Sequence, residues 1–235
     1  MKAVVFDFDN TLERWRSFED EAEFHLAGEI AEQFGLDAAA FKEEFDRIKV
    51  GYLLSTSLPQ DYGRDVWFAE TFAHFGLFDM DVAPFVEHYW NILIPLVELF
   101  PGTIQTLEFL KEEGFLIGML TDQDGSTREY KQRRLDKLGI TAYFDAILSS
   151  EELGVNKPNP RLFQEIARRL RVRCDECMMV GDNPPKDLIT AKELGFVTVW
   201  QKEDVARPEE SFSYVDYEVS RIQEVCDLVK KTSAQ

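Results

Sequence analysis

A chain of 235 residues with ordinary apolar and charged fractions suits one large or two small globular domains with a sizeable core. Its formal net charge of −18 argues against a nucleic-acid or anionic-membrane partner, because the long-range field repels polyanions, yet it leaves room for a small anion in a local pocket. No signal peptide or membrane-length apolar run is expected, and three cysteines, a sparse and odd count, fit the reducing cytosol, so a cytoplasmic location is expected.

Residues 3–8 (AVVFDF) are a short run of apolar β-formers, which predicts a buried strand. A helix follows, with Ser17 and Asp20 in a capping-type start, Phe24, Ala27, Ile30, Ala31 and Phe34 at helical spacing, and Gly35 at its end. Asp37 opens a second helix that sets Phe41, Phe45, Ile48 and Tyr52 on one face. Helices are expected over 61–75 and 81–93, and no strand between 14 and about 95. The stretch FPGT (100–103) starts another helix, with Pro101 near its first position and Gly114 just past its end.

From there strands and helices alternate. Strands are predicted over 115–121, 144–150, 177–182 and 196–201, and helices over 126–138, 161–170 and 186–194. A weak strand near 217–219 precedes a final helix from Ser220, where Gln223 offers a capping box. Cys174 and Cys177 form a lone CxxC and read as small residues at a strand edge. His25, His74 and His88 show no ligand spacing.

Such alternation implies βαβ units and a mostly parallel, doubly wound α/β sheet covered on both faces. The all-helical stretch falls after the first strand. The organisation predicted is therefore an α/β core from residues 1–13 and 97–235 with a helical cap inserted over 14–96.

In such a sheet, ligands bind beyond the carboxyl ends of the strands. Asp7 and Asp9 follow AVVF, Thr121 follows FLIGML, Asp182 follows MMV with Asp187 five residues on, and Lys157 sits in the loop NKPNP. Asp7, Asp9 and Asp182 crowded together repel, and all-oxygen ligation suits a hard divalent ion such as Mg²⁺. Lys157 adds a point charge suited to a phosphate or a nucleophilic carboxylate, and Thr121 offers a hydroxyl beside backbone N–H groups that favour an oxyanion.

These residues resemble the haloacid dehalogenase (HAD) superfamily, in its form with a helical cap between the first and second motifs. DFDNT (7–11) is similar to the first motif, Thr121 to the second, Lys157 in KPNPRLF to the third and GDNPPKD (181–187) to the acidic fourth. The resemblance implies a phosphoaspartyl mechanism, with Asp7 as nucleophile and Asp9 as acid and then base. It implies that the Asp7 side chain, the Asp9 carbonyl and the Asp182 side chain hold Mg²⁺, with Asp187 beside them or orienting Lys157. It also implies that Thr121, the Asp122 amide and Lys157 bind the transferring phosphoryl group. Asp122 departs from the family, which often carries Asn there, and Asp124 adds further negative charge nearby.

The resemblance also implies, because the family's dehalogenases lack an acid at this position, that Asp9 favours phosphoryl chemistry over dehalogenation. The expectation is a Mg²⁺-dependent phosphomonoester hydrolase, with a phosphomutase as the nearest rival and a 2-haloacid dehalogenase or a non-catalytic phosphate-binding protein behind it. A cap that excludes large substrates makes the expected partner a small phosphorylated metabolite. Arg14, Arg16, Arg47, Lys49 and Arg64 are cationic candidates on the insertion, Trp67 and Trp90 read as core aromatics, and the oligomeric state, a homodimer included, stays open.

Overall fold

Ala3, Val4, Val5 and Phe6 are fully buried, a state that a strand reaches only when both faces of its sheet are covered. The computed structural model of the chain describes residues 1–55, 63–122, 128–203 and 211–233. In chain order its elements begin with β1 (Ala3–Phe6), β2 (Glu13–Arg14), α1 (Arg16–Phe34), α2 (Ala38–Ser55), α3 (Arg64–His74), α4 (Ala83–Leu96) and β3 (Glu98–Leu99). They continue with α5 (Thr103–Glu112), β4 (Leu116–Thr121), α6 (Arg128–Leu138), β5 (Ala146–Ser149), α7 (Pro160–Arg169) and β6 (Cys177–Gly181). The last are α8 (Pro184–Asp187), α9 (Ile189–Glu193), β7 (Val197–Gln201), β8 (Tyr217–Val219) and α10 (Glu224–Ser233). Proximity of Cα atoms in space divides the chain into two compact units: Met1–Arg14, Glu98–Asp122 and Leu138–Gln235 form one, and Trp15–Val97 with Gln123–Lys137 form the other. Residues 128–137, which the strand–helix alternation placed in the α/β core, group with the helical unit.

The first unit carries a sheet of order β5-β4-β1-β6-β7-β8 in which every pairing is parallel. Val5 lies opposite Gly118 of β4 on one side and Met179 of β6 on the other. The strand order reverses at β1, so its carboxyl end is the topological switch point at which such sheets bind ligands. The covering helices are amphipathic: α7 buries Leu162, Phe163, Ile166 and Ala167 against Val5, Leu120 and Met179 and exposes Arg161 and Arg168. Cys177 opens β6, buried and free, and burial followed by the charges around it pushes its thiol up to about 12.

The second unit has an aromatic core. Phe72 packs with its ring 4.9 Å from Phe85 and 5.6 Å from Phe41, and Phe45 lies 4.9 Å from Phe68. Trp67 and Trp90 are buried within the same unit. Buried charge accompanies them: Lys49 Nζ donates to both Glu23 oxygens at 2.7 and 2.8 Å.

Several local expectations change. Phe24 is 72% exposed, because Glu23, one residue back, turns inward to Lys49 and Lys42 and rotates the buried face of α1 onto Ala22, Glu23, Leu26, Ala27, Ile30 and Ala31. Ser17 lies inside the first turn of α1 rather than at its cap, whereas Asp37 does cap α2, accepting from the Ala40 N–H at 2.8 Å. Glu13 and Arg14 pair antiparallel with Leu99 and Glu98 in a ribbon too short to leave a periodic signature. Helix α5 starts at Thr103, two residues past Pro101, and Gly102 precedes it at φ 88°, where a Cβ would collide with the Gln223 side chain. The final helix begins at Glu224 rather than near Ser220, and it is Glu224 that accepts from the Ser220 N–H. The helix expected over 186–194 is two short ones parted at Leu188. Among the described residues no helix is long and apolar enough to cross a membrane.

Candidate active site

All of the singled-out core residues belong to the first unit, at or beyond the carboxyl ends of its strands. Asp7 is the first residue past β1. Its N–H donates to the Val180 carbonyl at 2.9 Å, so the sheet ladder itself fixes its backbone. The chain then turns tightly. Thr11 and Leu12 N–H donate to the Phe8 carbonyl, and Asn10 adopts φ 60°, a left-handed conformation that Asn tolerates better than most residues. This turn carries Thr11 back to Asp7, whose Oδ2 accepts from Thr11 Oγ1 at 3.0 Å. The same hydroxyl accepts the Asp182 N–H at 3.0 Å. One threonine thus ties the first acidic motif to the last, a role legible in DFDNT only as a motif letter.

Lys157 is buried, and its Nζ donates to Asp7 Oδ1 and to Asp187 Oδ1, each at 2.6 Å. Its own N–H donates to Asp122 Oδ1 at 2.9 Å. Asn159 caps α7 by accepting from the Arg161 N–H, and its own N–H donates to the Asn156 carbonyl, which orders the loop carrying Lys157. Asp187 is held from the other side by the Asn183 N–H on Oδ2 at 3.0 Å. Glycine at 181 allows this approach, because a Cβ there would sit 2.4 Å from Asp187 Oδ2. Trp200 Nε1 donates to the Asp182 carbonyl at 3.0 Å and anchors the acidic loop.

The electrostatics follow from one cation among several anions. Burial, with the charges of Asp187 and Asp9, raises the Asp7 carboxyl to about 6 against the pull of Lys157. Burial opposes the charge on Lys157 too, but Asp187, Asp7 and Asp122 overcome it and hold the ammonium well above its usual range. Asp7, Asp182 and Asp187 each place a carboxylate oxygen within 4.8 Å of the others. The donors are all hard oxygens, and Lys157 leaves the cluster negative, so the residues fit a hard divalent cation. Asp187 joins this group; the Asp9 carboxylate does not, and Asp9 lies partly exposed just past Asp7. Thr121 ends β4 fully buried beside Asp122.

The cationic candidates outside these motifs are occupied elsewhere. Arg47 chelates Glu44 at 2.6 and 2.8 Å on an exposed face, and Lys49 is spent on Glu23. Arg64 is buried beneath Trp67, Tyr89 and Trp90 and bonds Glu19. In the first unit Arg14 lies over the Phe100 ring, and Arg16 is exposed in the second. Asp124 lies outside the described residues.

A model of the haloacid dehalogenase-like hydrolase family matches residues 1–195. The chain is 32% identical to a glyceraldehyde 3-phosphate phosphatase of Methanopyrus kandleri, in an alignment covering 98% of both chains. It is 37% identical to the protein of the same name from Methanocaldococcus jannaschii, over 60% of this chain and 61% of that one. Among solved structures, a HAD phosphatase from Thermococcus onnurineus shares the fold with a TM-score of 0.76, over 97% of this chain and 98% of that one, at 24% identity.

Proposed function

The chain belongs to the haloacid dehalogenase-like hydrolases, and we propose that it is a Mg²⁺-dependent phosphatase that cleaves phosphomonoesters of small metabolites through a phosphoaspartate. The observation that carries this reading is the Asp7–Lys157–Asp187 bridge, with both contacts at 2.6 Å, at the switch point of the sheet. Asp7 attacks phosphorus with a carboxylate oxygen, and the P–O bond to the leaving alcohol breaks. Thr11 and Lys157 each hold one Asp7 oxygen, so the nucleophile enters the reaction already oriented. Asp9 gives a proton to the leaving oxygen and later takes one from the water that hydrolyses the acyl phosphate, assistance worth about 10²–10⁴-fold. Thr121, the Asp122 N–H and Lys157 receive the phosphoryl oxygens.

Asp7, the Asp9 carbonyl and Asp182 would hold Mg²⁺, and Asp187, grouped with them, keeps Lys157 in place. The ion supplies charge neutralisation at the phosphoryl oxygens. Support for a small substrate comes from the two phosphatase relatives, both named for glyceraldehyde 3-phosphate.

Hydrolysis of an aryl phosphate with Mg²⁺, with EDTA and in Asp7→Asn tests the reading. Activity should require the metal and fall by at least about 10³-fold in the variant. Near wild-type turnover by a folded Asp7→Asn protein would remove Asp7 as nucleophile.

A further inference from the structure

The second motif carries an acid where an amide suffices. Asp122 follows the phosphoryl-binding Thr121, and its Oδ1 accepts the Lys157 N–H at 2.9 Å, a bond that an Asn oxygen would make equally well. The geometry of this anchor therefore does not need the extra charge, which reaches Lys157 only as a field supporting its ammonium. It also places a second like charge beside a dianionic ester. The other oxygen answers this: Asp122 Oδ2 lies 3.8 Å from Lys186 Nζ. Lys186 comes from α8, directly before Asp187, and its side chain is 38% exposed against 15% for Asp122. The ammonium thus stands on the solvent side of the carboxylate, next to the loop that closes the acidic cluster.

We propose that Lys186 is a positioning residue for substrate: it neutralises the Asp122 carboxylate and so lets the Thr121–Asp122 peptide accept a phosphoryl dianion. The inference rests on the phosphatase reading above. Its logic is compensatory. Lys186 matters because residue 122 is charged, and its value disappears once that charge is removed. The pair is partly exposed, so the effect is modest, grows at low ionic strength and fades at high salt.

A double-mutant cycle tests it, with inorganic phosphate as competitive inhibitor of aryl phosphate hydrolysis by the Mg²⁺-loaded enzyme. Lys186→Gln should raise the inhibition constant of phosphate, and KM more than kcat, by about fivefold at low salt. Adding Lys186→Gln to Asp122→Asn should change the same constant by less than about twofold. Because Asp122→Asn keeps the acceptor for the Lys157 N–H, the background retains the anchor. Equal losses on Lys186→Gln in both backgrounds would mean that Lys186 acts on the ligand without Asp122 and would overturn the proposal. So would an unchanged constant in Lys186→Gln alone. A wild-type enzyme that neither cleaves the ester nor binds phosphate would instead overturn the phosphatase reading, and this inference with it.

Discussion

Each unit buries a lysine on carboxylates, and the two arrangements differ in what they leave unbalanced. In the helical unit Lys49 and Lys42 share Glu23, Asp46 binds Lys42 at 2.6 Å, and Arg64 bonds Glu19. Anions and cations there alternate within one closed set. Burial and Glu19 still raise the Glu23 carboxyl, yet both of its oxygens accept from Lys49. In the α/β unit one ammonium, that of Lys157, answers Asp7 and Asp187 while Asp182 stands in the same group. Balanced buried charge fastens two helices; buried charge left negative calls for a cation from outside. The same residue types thus form a balanced set in one place and an unbalanced one in the other, and the distinction lies in the local sum of charge.

The largest expected effect on stability breaks the balanced side. Lys49→Met leaves the Glu23 carboxylate buried with a weaker set of partners and should cost about 3 kcal/mol, roughly 6–12 °C in Tm, while Glu23→Leu with Lys49→Met should recover most of that loss. An unchanged Tm in the single variant would show that this ion pair contributes nothing net. Next comes the unbalanced side. Mg²⁺ at about 100 times its Kd should stabilise the wild type by about 2.7 kcal/mol, and Asp182→Asn should lose most of that gain at the same concentration. Equal thermal shifts in both proteins would remove Asp182 from the metal site.

A third effect, of comparable size, is in pH. The Asp7 carboxyl is raised to about 6 from 3.8, so its protonation favours the folded metal-free state. That contribution is complete below the unfolded value and is lost as pH rises through about 6. Urea melts of the metal-free protein should therefore show the stability of wild type, relative to Asp7→Asn, declining between pH 4 and 7. A flat difference over that range would contradict the raised carboxyl.

The β-strands were legible because buried parallel strands are short apolar runs, and AVVF, LIGMLT and CMMVG are such runs. The convergence of Asp7, Lys157, Asp182 and Asp187 was legible for a related reason: a doubly wound sheet sends the residues after its strands to one edge. What stayed hidden depends on contacts distant in sequence. Nothing local in GDNPPKD shows that Gly181 makes room for Asp187, or that Thr11 reaches the Asp182 N–H across 171 positions. The exposure of Phe24 is of the same kind, since it follows from Glu23 finding Lys49 on another helix. The grouping of residues 128–137 with the helical unit also reflects packing: Tyr130 stacks on Trp90 at 5.2 Å, and Arg134 lies 4.1 Å over Trp15. A charged helix between two strands carries no mark of which neighbours it will choose.

The two-residue ribbon of Glu13–Arg14 with Glu98–Leu99 has a consequence for how this chain tolerates change. It works as a socket. The point where the chain departs from the sheet domain and the point where it returns are zipped side by side, about 5 Å apart as in any paired strands. Lengthening the excursion between them costs little closure entropy, only about 0.6 kcal/mol per doubling. Whatever is plugged into that socket, Asp7 stays anchored by Val180 and Thr11, so the excursion can be rewritten while this edge of the sheet keeps its shape.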